Sequence, residues 1–140
     1  MVYSYLDHPS DVYVRVKNET LEGIFEDAAR ATFDIMIETS MVEGFITLRA
    51  DILADDLQQL FYAWIDHLLY IFDAKSFAIH KTEVVISESN SRPSLTAKIY
   101  GEAYDPKKHG QKVAVKAMTY SLMRLNRLDD QWEAYFVLDI

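Results

Sequence analysis

Cysteine is absent from this chain, and glycine is scarce. Without thiolates, disulfide bridges and cysteine-ligated zinc sites are excluded. The four glycines, Gly23, Gly44, Gly101 and Gly110, never cluster, so there is no glycine-rich phosphate loop. No apolar run is long enough to cross a bilayer, and residues 1–7 have neither the cationic segment nor the apolar core of a signal peptide. We therefore expect a cytoplasmic protein.

Basic residues are too few to balance the acidic ones. The chain has 14 Lys and Arg against 22 Asp and Glu, a formal net charge of -8. Affinity for nucleic acids rests mainly on basic groups that replace phosphate counterions, so we expect no strong binding to free RNA or DNA. A local basic group can still contact a nucleotide or an acidic partner, although a solvated surface is the favoured interpretation for most of its members. This group comprises Lys107, Lys108, Lys112, Lys116, Arg124 and Arg127.

What the chain does have is apolar material and helical periodicity. Hydrophobic residues make up 50% of its 140 residues, enough for a core in one domain over residues 1–140. A first helix is predicted from the cap Thr20, with Glu22 in its first turn, to about Glu38. A second begins at a capping-box sequence, residues 55–58, and carries an apolar stripe over residues 57–72. Both stripes are interpreted as facing the core.

Alternating β-prone segments supply the remaining elements. Strands are predicted at 12–16, 44–53, 77–87, 94–104, 112–125 and 131–140. The order β-α-β-α-β-β-β-β predicts an α+β fold, with two helices packed on a mixed, largely antiparallel sheet. In the strand at 112–125, alternation would place Lys116, Met118 and Tyr120 on one face.

Carboxylates stand at both ends of the chain. Asp139 and Ile140 follow an apolar β-prone run directly, and Asp11 precedes the first predicted strand. If the first and last strands pair antiparallel, the side chains of Asp11 and Asp139 meet the terminal carboxylate of Ile140. Three hard oxygen donors predict a site for a hard divalent cation. From these residues alone, the alternative remains favoured: Asp11 caps a strand, Asp139 is solvated, and Lys116 is an exposed lysine rather than a cation held beside them.

Five segments together resemble the archease family. They are residues 5–11, residues 21–25, Gly101-Glu102 with His109 downstream, residues 115–120, and Asp139-Ile140. The resemblance spans essentially the whole chain, in the family's order of elements. It implies an archease-like domain that activates the RtcB-type tRNA-splicing RNA ligase, promoting guanylylation and multiple turnover. It implies no reaction catalysed by the protein itself, and contact with tRNA only indirectly through the ligase.

The resemblance also assigns roles to single residues. Asp11 and Asp139 correspond to metal ligands, and Ile140 can add main-chain oxygen. Lys116 corresponds to a lysine implicated in activation, and we assign His8 an orienting role near the site. The implied cofactor is a divalent ion, calcium first, with magnesium or manganese as alternatives. The chain departs from the family where Pro9-Ser10 replace the usual Thr-Ala and where Ser121 replaces a common His.

Two other classes of function stay open. A metal-dependent phosphate-ester hydrolase would use Asp11 and Asp139 as ligands and His8 as general base, although the missing phosphate loop counts against it. A general chaperone or interaction module would use exposed aromatic surface and ignore changes at Asp139.

Overall fold

The computed structural model describes residues 2–6, 11–88 and 92–140. Within these ranges the strands are β1 (Val2–Leu6), β2 (Asp11–Asn18), β3 (Ile46–Leu53), β4 (Phe77–Ser87), β5 (Ser94–Ala103), β6 (Ala117–Arg127) and β7 (Trp132–Asp139). The helices are α1 (Leu21–Met36), α2 (Leu57–Lys75) and the short α3 (Pro106–His109), with a 3₁₀ turn at Thr39–Met41. None of the helices in these ranges is both long and apolar enough to cross a membrane.

The strands form two antiparallel sheets rather than one. The first has the order β1-β2-β7-β6 and the second the order β3-β5-β4. Both α1 and α2 contact strands of each sheet, so the helices lie between the sheets. The α+β prediction is confirmed, with all described strand pairs antiparallel. Strand β1 was not predicted, and it places the predicted first strand second in the sheet.

Helix α1 begins as its sequence indicates. The Thr20 hydroxyl accepts a hydrogen bond from the Gly23 backbone N–H at 2.9 Å, which is the expected N-cap contact. The helix ends at Met36, two residues before the predicted end. Thr32, the polar residue on its apolar face, is fully buried and donates its hydroxyl proton to the Ala28 carbonyl at 2.8 Å. The Thr32 hydroxyl is therefore hydrogen-bonded although the side chain is buried.

Helix α2 begins one residue later than the predicted capping box. Asp56 is the cap, and its carboxylate accepts the Gln59 backbone N–H at 2.8 Å. The Gln59 side chain accepts the Asp55 N–H at 2.7 Å, so two donors at the helix start are satisfied.

Aromatic side chains join α2 to its neighbours in the core. The Phe61 ring lies edge-on to Phe25 of α1 and to Phe136 of β7, each at a centroid distance of 5.2 Å. Trp64 donates its indole N–H to the Phe25 carbonyl at 2.9 Å. These contacts link both helices to the four-stranded sheet.

Residues 112–116 were predicted to be part of a strand, but they lie before β6 and do not belong to it. The backbone N–H groups of Lys112 and Val113 donate to Met36 and Ile35 at 2.9 and 3.2 Å, satisfying carbonyls at the end of α1. Strand β6 therefore begins at Ala117 rather than at residue 112. The predicted shared face was wrong, because Lys116 precedes the strand, and Met118 is 3% exposed whereas Tyr120 is 55% exposed.

Candidate functional site

The two predicted carboxylates meet in the register of one strand pair. Strands β2 and β7 run antiparallel, and Asp11 lies directly opposite Asp139. Side chains directly opposed in an antiparallel pair share one face, with Cβ atoms about 4.5–5.5 Å apart. Asp11 is half-buried and Asp139 is exposed. The predicted antiparallel pairing is present, although β2 is the second strand of the chain rather than the first.

Lys116 reaches the same point from the other side of β7. In the β6–β7 register Ala117 lies opposite Asp139, and the Lys116 backbone N–H donates to the Asp139 carbonyl at 2.7 Å. This hydrogen bond fixes the main chain of Lys116 beside the carboxylate pair and leaves its exposed side chain at the edge of the sheet. The structure thus brings together Asp11, Asp139 and Lys116. His8 lies outside the described residues.

The donor set at this point fits a hard divalent cation. Opposed carboxylates repel one another, and a shared cation offsets that repulsion. The Asp139 carbonyl is engaged by Lys116, so the main-chain oxygens of the 37%-exposed Ile140 are the next candidates. Within the described ranges, no group of three or more His, Asp and Glu side chains is arranged to hold a metal ion. An ion at Asp11 and Asp139 would therefore complete its shell with main-chain oxygen and water.

A buried histidine anchors the segment that leads to Lys116. His109 is fully buried; its Nδ1 accepts the Asp105 N–H at 3.0 Å, and its Nε2 lies 3.0 Å from the Glu102 carboxylate. Because Nδ1 accepts a hydrogen bond, it carries no proton, and Nε2 must be the nitrogen that donates to Glu102. The His109 carbonyl in turn accepts the Glu38 N–H at 2.8 Å, which ties this segment to the end of α1.

Glu102 is the centre of that anchor. It accepts the backbone N–H of Glu43 at 2.8 Å and also contacts His109 and the Lys108 ammonium, the latter at 2.9 Å. The Glu43 N–H first, then His109 and Lys108, lower the pKa of Glu102 to about 2. The family resemblance includes Glu102 and His109 but assigns neither of them a role. The sequence signal for their loop was Asp105-Pro106, a cap followed by proline at the first helical position.

The predicted basic group does not form one free patch. Lys108 pairs with Glu43 and Glu102, and Lys112 donates its ammonium to the Asp34 carbonyl at 2.5 Å. The Arg124 guanidinium lies 4.5 Å from the centre of the Tyr135 ring, and that of Arg127 lies 5.3 Å from the Trp132 ring. Several of these residues therefore contribute contacts within the fold.

The fold and the site point to a known class of protein. The family described as "Archease protein family (MTH1598/TM1083)" matches residues 3–140. The chain belongs to the archease family.

The chain is similar to individual relatives along nearly its full length. "Protein archease" from Pyrobaculum neutrophilum is 37% identical over 139 residues, covering 99% of this chain and 95% of the relative. "Protein archease" from Pyrococcus furiosus is 34% identical, covering 99% and 98%. The solution structure of Methanobacterium thermoautotrophicum protein 1598 superposes with a TM-score of 0.87 at 32% identity, covering 99% of this chain and 98% of that one.

Proposed function

We propose that this protein is a non-catalytic activator of an RtcB-type tRNA-splicing RNA ligase. It promotes guanylylation of the ligase and multiple turnover through a divalent-metal site at Asp11, Asp139 and Ile140. The observation that carries the proposal is the register of β2 and β7, which sets Asp11 opposite Asp139 in a chain of the archease family. The exposed position of Asp139 supports a site that another protein can reach.

The proposed division of labour among the residues is simple. Asp11 and Asp139 hold the ion by their carboxylates, and Ile140 adds main-chain oxygen. The ion is calcium in the first place, with magnesium and manganese as alternatives, since all three take oxygen ligands. When bound, it supplies positive charge against which phosphate oxygens can be placed. Lys116 adds a second cation at the same edge, held there by its hydrogen bond to Asp139.

The partner in this proposal is a protein, with tRNA contacted only through the ligase. The net charge of -8 supports this, because it opposes binding to free RNA. The absence of cysteine agrees with a reducing compartment, and we place the activity in the cytoplasm.

The test is an assay of ligase guanylylation and RNA joining under multiple turnover, with and without this protein. Wild type is expected to stimulate both, and Asp11→Ala, Asp139→Ala and Lys116→Ala to abolish stimulation while melting as folded proteins. Asp73→Ala is the matched control, because Asp73 is an exposed carboxylate on α2, outside the site. Normal stimulation by all three site variants would refute the proposal.

Metal binding is tested separately by calorimetric titration with calcium, magnesium and manganese. We expect one site in wild type and loss of that site in Asp139→Asn, which keeps the shape of the side chain but removes its charge. If wild type binds metal but leaves the ligase unstimulated, hydrolysis of phosphate esters by the isolated protein with magnesium or manganese becomes the leading alternative.

A further inference from the structure

Strand β6 carries a large bulge a short distance from the carboxylate pair. Thr119 pairs with Val137, but the next registered pair is Arg124 with Tyr135. Four residues of β6, numbers 120–123, therefore stand opposite the single position 136 of β7. Ordinary bulges place two residues opposite one. We call residues 120–123 the β6 bulge.

The β6 bulge displays apolar side chains to solvent. Tyr120 is 55% exposed and Leu122 is 54% exposed. Leu122 also has a φ of 58°, in the left-handed region that branched apolar residues rarely adopt. The side chain of Leu122 itself is not part of the hydrophobic core. Backbone of this kind is often found where a protein binds something else.

The conformation of the β6 bulge is held by contacts on both sides. The Ser121 N–H donates to the Thr119 hydroxyl at 3.1 Å, and Met123 packs against the core. The Tyr120 ring stacks on Tyr62 of α2, with centroids 4.1 Å apart and planes 7° from parallel. The apolar side chains are thus presented by an ordered segment, which lowers the entropic cost of binding a partner.

Charge around the β6 bulge contrasts with the acidic chain as a whole. Lys116 precedes it and Arg124 follows it, both exposed. In the part of the chain that the structure describes, neither has a carboxylate within ion-pair distance. The negative charge of Asp56 also acts on the Tyr120 hydroxyl. The Asp56 carboxylate, however, already accepts the Gln59 backbone N–H at the start of α2. A partner surface that complements this arrangement has an apolar pocket with acidic side chains at its rim.

We infer that the β6 bulge is the anchor by which this protein docks on the RNA ligase, with Leu122 entering an apolar pocket that has an acidic rim. The inference rests on the proposed function. Ala117 lies opposite Asp139, and the bulge begins three residues further along β6, about 10 Å away at the rise of a strand. Docking at the bulge therefore brings Asp11, Asp139 and Lys116 against the same partner surface.

The test compares Leu122→Asn with wild type in ligase binding and in ligase stimulation. Asparagine tolerates the left-handed conformation, so the variant keeps the backbone and removes only the apolar side chain. We expect its Kd for the ligase, measured by calorimetry, and its half-maximal stimulating concentration to rise at least about tenfold, as for the loss of a central anchor. Maximal stimulation and melting temperature should be unchanged, whereas Asp139→Ala should lower the maximum.

Leu53→Asn is the matched control, since Leu53 is 59% exposed at the end of β3 in the other sheet. It should bind and stimulate as wild type does. A Kd for Leu122→Asn within twofold of wild type would overturn the docking inference and leave the activator function standing. Failure of wild type to bind the ligase at all would overturn the inference as well. Binding without stimulation would refute only the proposed function, and the Kd comparison would still decide the role of Leu122.

Discussion

Two carboxylate environments differ sharply at the level of single residues. Glu102 is surrounded by donors from Glu43, Lys108 and His109, which favour its charged form. Asp11 and Asp139 lie directly opposite each other in a strand pair. The first arrangement stabilises the fold, whereas like charges directly opposed in a strand pair repel one another. The Glu102 carboxylate thus contributes to the structure, whereas the Asp11 and Asp139 carboxylates form the candidate functional site.

The pH dependence of stability should report on Glu102. Its pKa is lowered from 4.5 to about 2, so its contribution is present above pH 4.5 and is lost as the pH falls through 2. We expect the free energy of unfolding, measured by urea denaturation between pH 7 and pH 2, to fall more steeply for wild type than for Glu102→Gln. Glu19→Gln, at an exposed glutamate, should follow the wild-type curve. Parallel curves for wild type and Glu102→Gln would contradict this account.

Strand ends made the acidic residues of the site predictable, whereas Lys116 was predictable only in part. Asp11 and Asp139 could be paired from sequence because antiparallel strands bring the start of one beside the end of the other. The position of Lys116 relative to the strand could not be predicted from sequence, because the backbone N–H groups of Lys112 and Val113 donate to α1 carbonyls instead of to a strand. That choice depends on residues far away in sequence.

At the level of elements, local sequence signals predicted the two long helices, α1 and α2, well. The cap Thr20 lies within three residues of the donor it satisfies, so its role is visible in the sequence. Strand β4 likewise has the predicted bounds. The β6 bulge was not predictable, because its length is defined by the register with β7 and no glycine or proline marks it.

Removal of the α1 cap should destabilise the protein modestly. Thr20→Ala deletes the hydroxyl that accepts the Gly23 N–H and should lower the free energy of unfolding by about 1 kcal/mol. Chemical denaturation at neutral pH measures the change. Thr20→Ser keeps an acceptor at the same position and should lose much less. Equal losses in the two variants would show that the methyl group, not the hydroxyl, matters.

At the scale of the whole molecule, the division of the strands into two sheets could not be predicted from the sequence. Strand periodicity shows which residues alternate but not which sheet a strand joins, and β3, β4 and β5 form a separate sheet. The helices between the sheets make the arrangement one packed unit, with Phe61 in contact with both α1 and β7.

Truncation of Phe61 should weaken the molecule as a unit. The ring is 1% exposed, and Phe61→Ala should cost about 3–5 kcal/mol through lost packing and a residual cavity. Thermal unfolding followed by far-UV and near-UV circular dichroism should shift to lower temperature with coincident curves. Phe45→Ala, at a side chain that is 75% exposed, should change stability little. Separate transitions in Phe61→Ala would mean that the sheets unfold independently.

The register of the four-stranded sheet has a practical consequence for fusion proteins. A purification tag or fluorescent reporter joined after Ile140 would emerge beside Asp11 and Asp139 and obstruct them. Strand β1 runs the other way along β2, so that Val2 lies opposite Lys17. Lys17 lies six positions along β2 from Asp11, about 20 Å away at the rise of a strand. An amino-terminal tag would therefore leave the carboxylate pair clear, and assays of ligase stimulation should use that orientation.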